Sequence, residues 1–215
     1  MKSKLLIPPS LEITTQFPCL NRCSYCPQDL VISKYRGIRI LTLDNFKKAL
    51  ENVPKNVQIT YAAYSEPFLN PEAPEMMVYA NELGYRQAVY TTLVGFKDEY
   101  IKKIKDIPFT WFHVHNIGQR KQDLPFVDEW IDAKPNNRAN NLDFNIIDRQ
   151  ERLGRCSHCG LAFNANLMLP NGDCYICCSD WGLKYKIGNI FETNYNDLDR
   201  NWDRELCRYC VYHIS

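Results

Sequence analysis

The chain has 215 residues, 45% of them hydrophobic and 24% charged, which supports a buried core and excludes a disordered polyelectrolyte. Its 26 basic and 25 acidic residues leave a net charge of +1, with neither a basic stripe for phosphate backbones nor an acidic tail, so no nucleic-acid partner is expected. No apolar run approaches the roughly 20 residues of a membrane helix, and Pro8 and Pro9 interrupt the start before a signal-peptide core could form; a cytoplasmic protein without a membrane partner is the expectation.

Leu11 to Phe17 alternates as a strand, and Pro18 ends it, which puts Cys19 on a loop at the strand's C-terminal end. That loop is expected to continue through Arg36 and Gly37. A helix follows from Thr42 or Asp44, with Leu43, Phe46, Lys47 and Leu50 at helical spacing and Pro54 closing the segment. Val57 to Tyr64 is a run of β-formers suited to a strand buried on both faces, and it leads into Ser65-Glu66-Pro67-Phe68-Leu69-Asn70-Pro71. A second helix is predicted from Pro71 to Leu83, stopped by Gly84. Tyr85 to Leu93 reads as a third strand, Lys97 to Lys105 as a third helix, and Pro108 to His115 as a fourth strand. This alternation predicts parallel βαβ units.

Residues 116–141 are polar, with one helical turn expected near Phe126 to Ile131, and Leu142 to Ile147 is the candidate fifth strand. A complete eight-stranded barrel takes roughly 250 residues, and only about 150 precede Cys156, so the barrel must be partial. Beyond Cys156, Leu161 to Leu169 and Cys174 to Cys178 read as a β-hairpin turned at Asn171-Gly172. Asp197 to Leu206 is a short helix leading into Cys207 and Cys210.

The ten cysteines fall in two groups, at 19, 23 and 26 and between 156 and 210, which suits metal sites better than a disulfide scaffold. The spacing C-x3-C-x2-C supplies three thiolates. Thiolates are soft ligands suited to iron-sulfur clusters, and three of them leave one iron of a four-iron cluster open to an outside ligand. The same spacing also fits a zinc knuckle borrowing a distant ligand, or buried structural thiols. In the second group, Cys156-x2-Cys159 and Cys174-x2-Cys177 spell a zinc ribbon across a hairpin. His113 and His115 alternate onto one face, where a packed or substrate-facing pair is a better reading than a third metal site.

Cys19, Cys23 and Cys26, with the aromatic Tyr25 before the last of them and a strand ahead of the first, resemble the signature of the radical S-adenosylmethionine (radical SAM) superfamily. The resemblance implies a cluster whose open iron is chelated by SAM, and reductive cleavage of SAM to a 5′-deoxyadenosyl radical that abstracts hydrogen from the substrate. Tyr64-Ser65-Glu66-Pro67 stands where the family carries a Gly-Gly-Glu or Gly-x-Gly-Glu-Pro motif. That implies a role for Glu66 and the Ser65 backbone in holding the SAM amino group, with Tyr64 and Ser65 departing from the family's glycines. The alternative for Glu66-Pro67 is a solvated turn. Tyr25, Thr91, His115 and Asn116 are the further candidates for facing cofactor or substrate, the last three because ligand sites gather at strand C-terminal ends.

The C-terminal cysteines resemble the SPASM and Twitch extensions of radical SAM enzymes. Cys159, Gly172 and Cys177 fit the extension's Cys…Gly-x4-Cys element, Ile187-Gly188-Asn189-Ile190 its continuation, and Cys207-x2-Cys210 its closing pair. The chain has fewer cysteines than a full SPASM extension, so the Twitch form is the better match. By correspondence it implies one auxiliary cluster held by Cys159, Cys177, Cys207 and Cys210. Cys156, Cys174 and Cys178 are left over, with Cys156 or Cys178 the alternative for one of the four.

The expectation is therefore an α/β protein: a partial (β/α) TIM-like barrel of five or six parallel strands over residues 1–150, and a hairpin-plus-helix cluster-binding extension over 151–215. The implied cofactors are two 4Fe-4S clusters and SAM. The implied partners are a peptide or small polar substrate and a reductant such as flavodoxin or ferredoxin. The alternative from another class is a non-enzymatic zinc-ribbon-like structural or interaction protein.

Overall fold

The computed structural model describes residues 9–119, 123–132, 158–159, 165–200 and 213–214. Its centre is a mixed sheet of eight strands. Five of them run parallel and successive in the chain: β1 (Ser10–Ile13), β2 (Gln58–Tyr61), β3 (Gln87–Thr91), β4 (Trp111–Asn116) and β5 (Glu129–Asp132). On the other side of β1 lies β7 (Ala165–Met168), also parallel to it. The antiparallel β8 (Asp173–Tyr175) and β9 (Lys186–Asn189) follow, giving the order β5-β4-β3-β2-β1-β7-β8-β9. A separate short ladder pairs β6 (His158–Cys159) with β10 (His213–Ile214). This is the partial barrel expected, with six parallel strands counting β7. Among the described residues no helix is long and apolar enough to cross a membrane.

The helices α2 (Leu43–Glu51), α3 (Ala73–Glu82) and α4 (Asp98–Ile104) cover one face of the sheet. Thr42 caps α2 by accepting from Asn45 N at 3.2 Å, and Gly84 (φ 78°) ends the α3 segment in the left-handed region that glycine enters without strain. Alternation sends Leu11, Ile13, Ile59, Tyr61, Val89, Phe112 and Val114 to this face, where they bury against Phe46, Met76, Met77 and Ile104. Glu12, Thr60, Tyr90, Trp111, His113 and His115 consequently point to the opposite face. Phe112 lies deepest in an aromatic stack, 4.8 Å from Phe126, 5.4 Å from Phe109 and 6.1 Å from Phe68 between ring centroids.

Two expectations are corrected. The stretch through Gly37 contains a helix, α1 (Gln28–Lys34), rather than continuous loop. It lacks an apolar stripe because only Val31 and the following Tyr35 are buried among its apolar residues, while Leu30 and Ile32 are 39% and 40% exposed. The expected helical turn at Phe126 to Ile131 is instead a turn followed by β5. Phe126 is anchored in the core, and the backbone then pairs in register with β4, His113 opposite Glu129 and His115 opposite Ile131. Leu142 to Ile147 lies outside the described residues. The expected Asp197 to Leu206 helix is represented by a single 3-10 turn, Tyr195–Asp197, with residues 201–206 outside the described set. The Asn171-Gly172 turn is as expected: Gly172 (φ 81°) closes it through Gly172 N to Leu169 O at 2.9 Å.

Removing the Phe112 ring would leave a cavity at the centre of this stack. Phe112→Ala should cost about 3–5 kcal/mol, read as a lower urea midpoint with an unchanged slope; a loss under about 1 kcal/mol would show that the stack carries little of the stability.

Candidate functional site

Three segments meet at the C-terminal ends of β1, β2 and β3. The first is the cysteine loop. It leaves β1 through Thr14 and Thr15, carries Cys19, Cys23 and Cys26, and enters α1 after Pro27. The three thiols are reduced and partly exposed, and a turn joins two of their residues through Cys26 N to Cys23 O at 3.0 Å. Asn21 N donates to Cys19 Sγ at 3.4 Å. Burial pushes the Cys19 thiol up, while this hydrogen bond pulls it down.

The second segment is Tyr64 to Asn70, and a solvated turn is not what it forms. Glu66 is 7% exposed. Its carboxylate is gripped by the third segment, the end of β3. Thr91 Oγ1 donates to Oε2 at 2.7 Å, and Thr92 N donates to Oε1 at 3.0 Å and Oε2 at 2.9 Å. From the cysteine loop, Asn21 Nδ2 reaches Oε1 at 3.4 Å and Thr92 Oγ1 at 2.8 Å. Desolvation raises the Glu66 carboxyl above its ordinary value, and the hydrogen bonds from Thr91 and Thr92 oppose that rise. Among the described residues Glu66 has no salt bridge.

Asn70 fixes the far end of this segment. It is fully buried, and its Nδ2 donates to Thr15 O at 2.9 Å and Leu41 O at 2.7 Å. Thr15 Oγ1 in turn donates to Pro67 O at 2.9 Å. The loop after β3 closes on the same backbone: a Cβ at Gly95 would stand 2.5 Å from Phe68 O. Two non-glycine residues flank the site in the left-handed region, Ala63 (φ 74°) after β2 and Leu93 (φ 64°) after β3. Each costs on the order of 1–2 kcal/mol, which the surrounding hydrogen bonds must offset.

Tyr64, at the position of the family's first glycine, turns its ring to Trp181 at 4.4 Å and is 2% exposed. It therefore joins an apolar cluster with Phe17, Val31, Leu167 and Tyr175. The Ser65 hydroxyl is sealed from solvent without a hydrogen-bond partner.

The remaining candidates disperse. Tyr25 and Asn116 line one open cleft of about 370 Å³ together with Asn21, Arg22, Cys23, Ser24 and Ile117. Asn116 also donates to Asp132 Oδ1 at 2.8 Å. His115 stands on the uncovered face of the sheet, 5.8 Å from the Tyr90 ring, in a row with His113 and Trp111. Cys177 is buried just past β8, and Cys159 lies in β6. Cys207, Cys210 and Cys156 lie outside the described residues. Cys174 sits inside β8, fully buried in the core beneath the helices, with its thiol pushed up to about 12 by desolvation. Cys178 faces the other way, toward the cluster that Cys26 packs against.

Two residues of this geometry, Asn21 and Glu12, escaped the sequence reading, whereas Thr92 belongs to the strand end expected to face cofactor or substrate. Asn21 adjoins assigned residues but carries no signal of its own without the fold. Glu12, on β1, is a carboxyl inside the uncovered face, pushed up to about 7 by desolvation, with Cys178 as the hydrogen-bond partner that opposes the shift. Its only sequence mark is an acid between Leu11 and Ile13.

A triad of thiols at the end of a first parallel strand, beside a buried carboxylate at the end of the second, is the arrangement the sequence motifs require. Residues 13–115 match the radical SAM superfamily. Over that stretch, just under half of its length, the chain resembles the radical SAM superfamily. Three solved radical SAM enzymes share the fold. BtrN in complex with AdoMet and 2-DOIA is 18% identical with a TM-score of 0.72, over 97% of this chain and 88% of its own. Streptococcus suis SuiB bound to its precursor peptide SuiA is 11% identical with a TM-score of 0.57, over 90% and 65%. AnSMEcpe with bound AdoMet is 12% identical with a TM-score of 0.52, over 97% and 84%. No match was found among curated proteins. The match over residues 13–115 supports SAM-dependent radical chemistry with a 4Fe-4S cluster and SAM.

The residues present fit that pair of cofactors. The fit is one of donor chemistry: three thiols stand on one loop, and next to them a buried carboxylate without a salt bridge among the described residues suits an ammonium group, while no three His, Cys, Asp or Glu side chains among the described residues converge on a single metal ion.

A carboxyl whose folded pKa is raised stabilises the fold fully below its unfolded value near 4.5 and loses that contribution as pH climbs through the folded pKa. Glu66→Gln removes this charge, while Glu12 and Asp180, also raised, remain in both proteins. In urea unfolding of the apoprotein, the stability of the variant relative to wild type should therefore grow from pH 4.5 to pH 7.5. A relative stability that shrinks over this range would refute the assignment of a strained buried charge.

Proposed function

We propose that Cys19, Cys23 and Cys26 ligate the SAM-binding 4Fe-4S cluster and that Glu66, with the Ser65 backbone, holds the SAM amino group. The observation that carries this reading is the buried Glu66 carboxylate, held by Thr91 and Thr92 and joined to the cysteine loop by Asn21. When bound, the cluster and SAM supply a 5′-deoxyadenosyl radical that takes hydrogen from an unactivated carbon. The chain's part is to keep Glu66 ionised against desolvation, to aim its free lone pairs out of the Thr91–Thr92 grip, and to keep water from the carboxylate. Tyr25 and Asn116, across the cleft from one another, would border the cofactor, and His115 the substrate.

The substrate is a peptide or a small polar molecule, and the product an oxidised or newly bonded one. Support comes from the uncovered face, where Tyr90, Trp111, His113 and His115 form an aromatic wall with polar edges. The neighbours solved with a precursor peptide and with 2-DOIA illustrate both classes. A flavodoxin or ferredoxin would serve as reductant.

Residues 151–215 are proposed as a Twitch-like extension holding a second 4Fe-4S cluster through Cys159, Cys177, Cys207 and Cys210. The burial of Cys174 supports this over a zinc ribbon, which needs both cysteines of each pair in an open turn. Because β7 continues the barrel sheet, the extension would be rooted in the barrel rather than tethered to it.

Anaerobic reconstitution should give about eight irons per chain and 5′-deoxyadenosine under strong reductant. Replacing Cys19, Cys23 and Cys26 together by Ala should abolish 5′-deoxyadenosine and halve the iron. Cys177→Ala should also lose about half the iron, whereas Cys174→Ala should keep it. Stoichiometric zinc without SAM cleavage would overturn the reading.

A further inference from the structure

We propose that Asn21 is a positioning residue that couples the cysteine loop to the SAM-binding carboxylate, so that it sets the affinity for SAM rather than the assembly of the cluster. The inference rests on the functional reading above and assigns a role to a residue that lies outside the three-cysteine signature and the Glu66 motif.

Asn21 touches three parts of the site that are far apart in sequence. Its backbone N–H donates to Cys19 Sγ at 3.4 Å. Its side-chain Nδ2 donates to Thr92 Oγ1 at 2.8 Å, across 71 residues, and to Glu66 Oε1 at 3.4 Å, across 45. It also lines the cleft shared by Cys23, Tyr25 and Asn116. Glu66 makes the complementary link, its backbone hydrogen-bonding Cys19 while its carboxylate accepts from Thr91 and Thr92.

The physical consequence concerns the charge on Glu66. A carboxylate presents about four acceptor positions. Thr91 Oγ1 and Thr92 N occupy part of this capacity, and both come from β3. Asn21 supplies the one donor that comes from the cluster side. It also fixes the Thr92 hydroxyl: an oxygen that accepts from Asn21 keeps its own proton free, and a hydrogen bond from the Thr92 side chain is among the interactions that favour the ionised carboxyl. Each donor also fixes the carboxylate oxygens, so that the lone pairs left open keep one direction relative to the cysteine loop.

The loop itself is the second consequence. Leu20, beside Asn21, is 69% exposed, so packing does not hold this part of the loop. The Asn21 side chain is then a tie, beside the Glu66 backbone hydrogen bond to Cys19, that keeps the loop in register with the carboxylate. A cofactor held both by the cluster and by Glu66 would be sensitive to that register. Its affinity should fall when the tie is cut, even where the thiolates still capture iron.

The test uses reconstituted full-length protein with SAM as the probe. Iron content, the SAM-induced change in the electron paramagnetic resonance signal of the reduced cluster, and the kcat and KM for SAM cleavage are measured for wild type, Asn21→Ala, Thr92→Val and the double variant. The expected result is unchanged iron in Asn21→Ala, a SAM dissociation constant raised about tenfold, at the low end for a lost hydrogen bond to a charged group, and KM moving more than kcat. Thr92→Val should weaken SAM binding in the same direction, and the double variant should fall short of the product of the two single effects, because both act through one chain of hydrogen bonds. SAM affinity within twofold of wild type in both single variants overturns the proposal. Loss of iron in Asn21→Ala also overturns it, since the residue would then serve loop assembly. Wild-type protein with iron but no SAM response would sink the functional reading and this inference together, whereas a responsive wild type with insensitive variants sinks this inference alone.

Discussion

The arrangement depends on keeping one carboxylate charged where water does not reach it. Burial pushes the Glu66 carboxyl toward its neutral form, and a neutral acid is a poor partner for a cation. The fold answers with donors that no single segment could supply. Thr91 and Thr92 arrive at the end of β3, and Asn21 arrives from the loop after β1. Parallel strands make this convergence possible, because their C-terminal ends all open on the same side of the sheet, whatever their separation in sequence. The helices contribute indirectly, by burying the outer face so firmly that the strand ends are fixed relative to one another.

Several details that look like departures at the site fall into place against that need. Tyr64 and Ser65 replace glycines that the family uses, and glycine's usual purpose is to let backbone approach a ligand. Here the conformational freedom has moved: Ala63 takes the positive φ, and the Tyr64 ring swings away to stack on Trp181. The strained backbone at Ala63 and Leu93 persists because Asn70, Thr15 and the close approach at Gly95 leave the 67–69 turn nowhere else to go. The same aromatic ring ties the segment before Glu66 to the C-terminal part of the chain.

The sequence was most legible where chemistry and periodicity coincided. Cys19, Cys23, Cys26 and Glu66 stood out because thiols and a Glu-Pro pair are uncommon at strand ends, and four of the parallel strands announced themselves through β-branched and aromatic runs. The rest was hidden for identifiable reasons. Helix α1 buries a single aliphatic side chain and so shows no stripe, and β5 is an edge strand whose burial comes from one neighbour only. Asn21 is an ordinary polar residue whose meaning lies in a 71-residue separation from Thr92 that no local pattern encodes. Glu12 passed as a solvent-facing strand residue because a one-sided sheet is the usual context for such alternation. Here the second side is the interior of a half-closed barrel.

The pairing of β1 with both β2 and β7 has a temporal side. Ser10 sits opposite Gln58 on one flank and Ala165 on the other, so the strand that launches the cysteine loop gains its second neighbour only when the last quarter of the chain is in place. A growing polypeptide would complete β1 with β2 early and leave the opposite edge of β1 bare until residues 165–168 emerge. Such distant pairings are slow to close, and an unpaired edge invites the wrong partner in the interval. The cysteine loop is therefore hinged to a strand that becomes an interior one only once residues 165–168 have emerged, which ties maturation of this loop to arrival of a segment far along the chain.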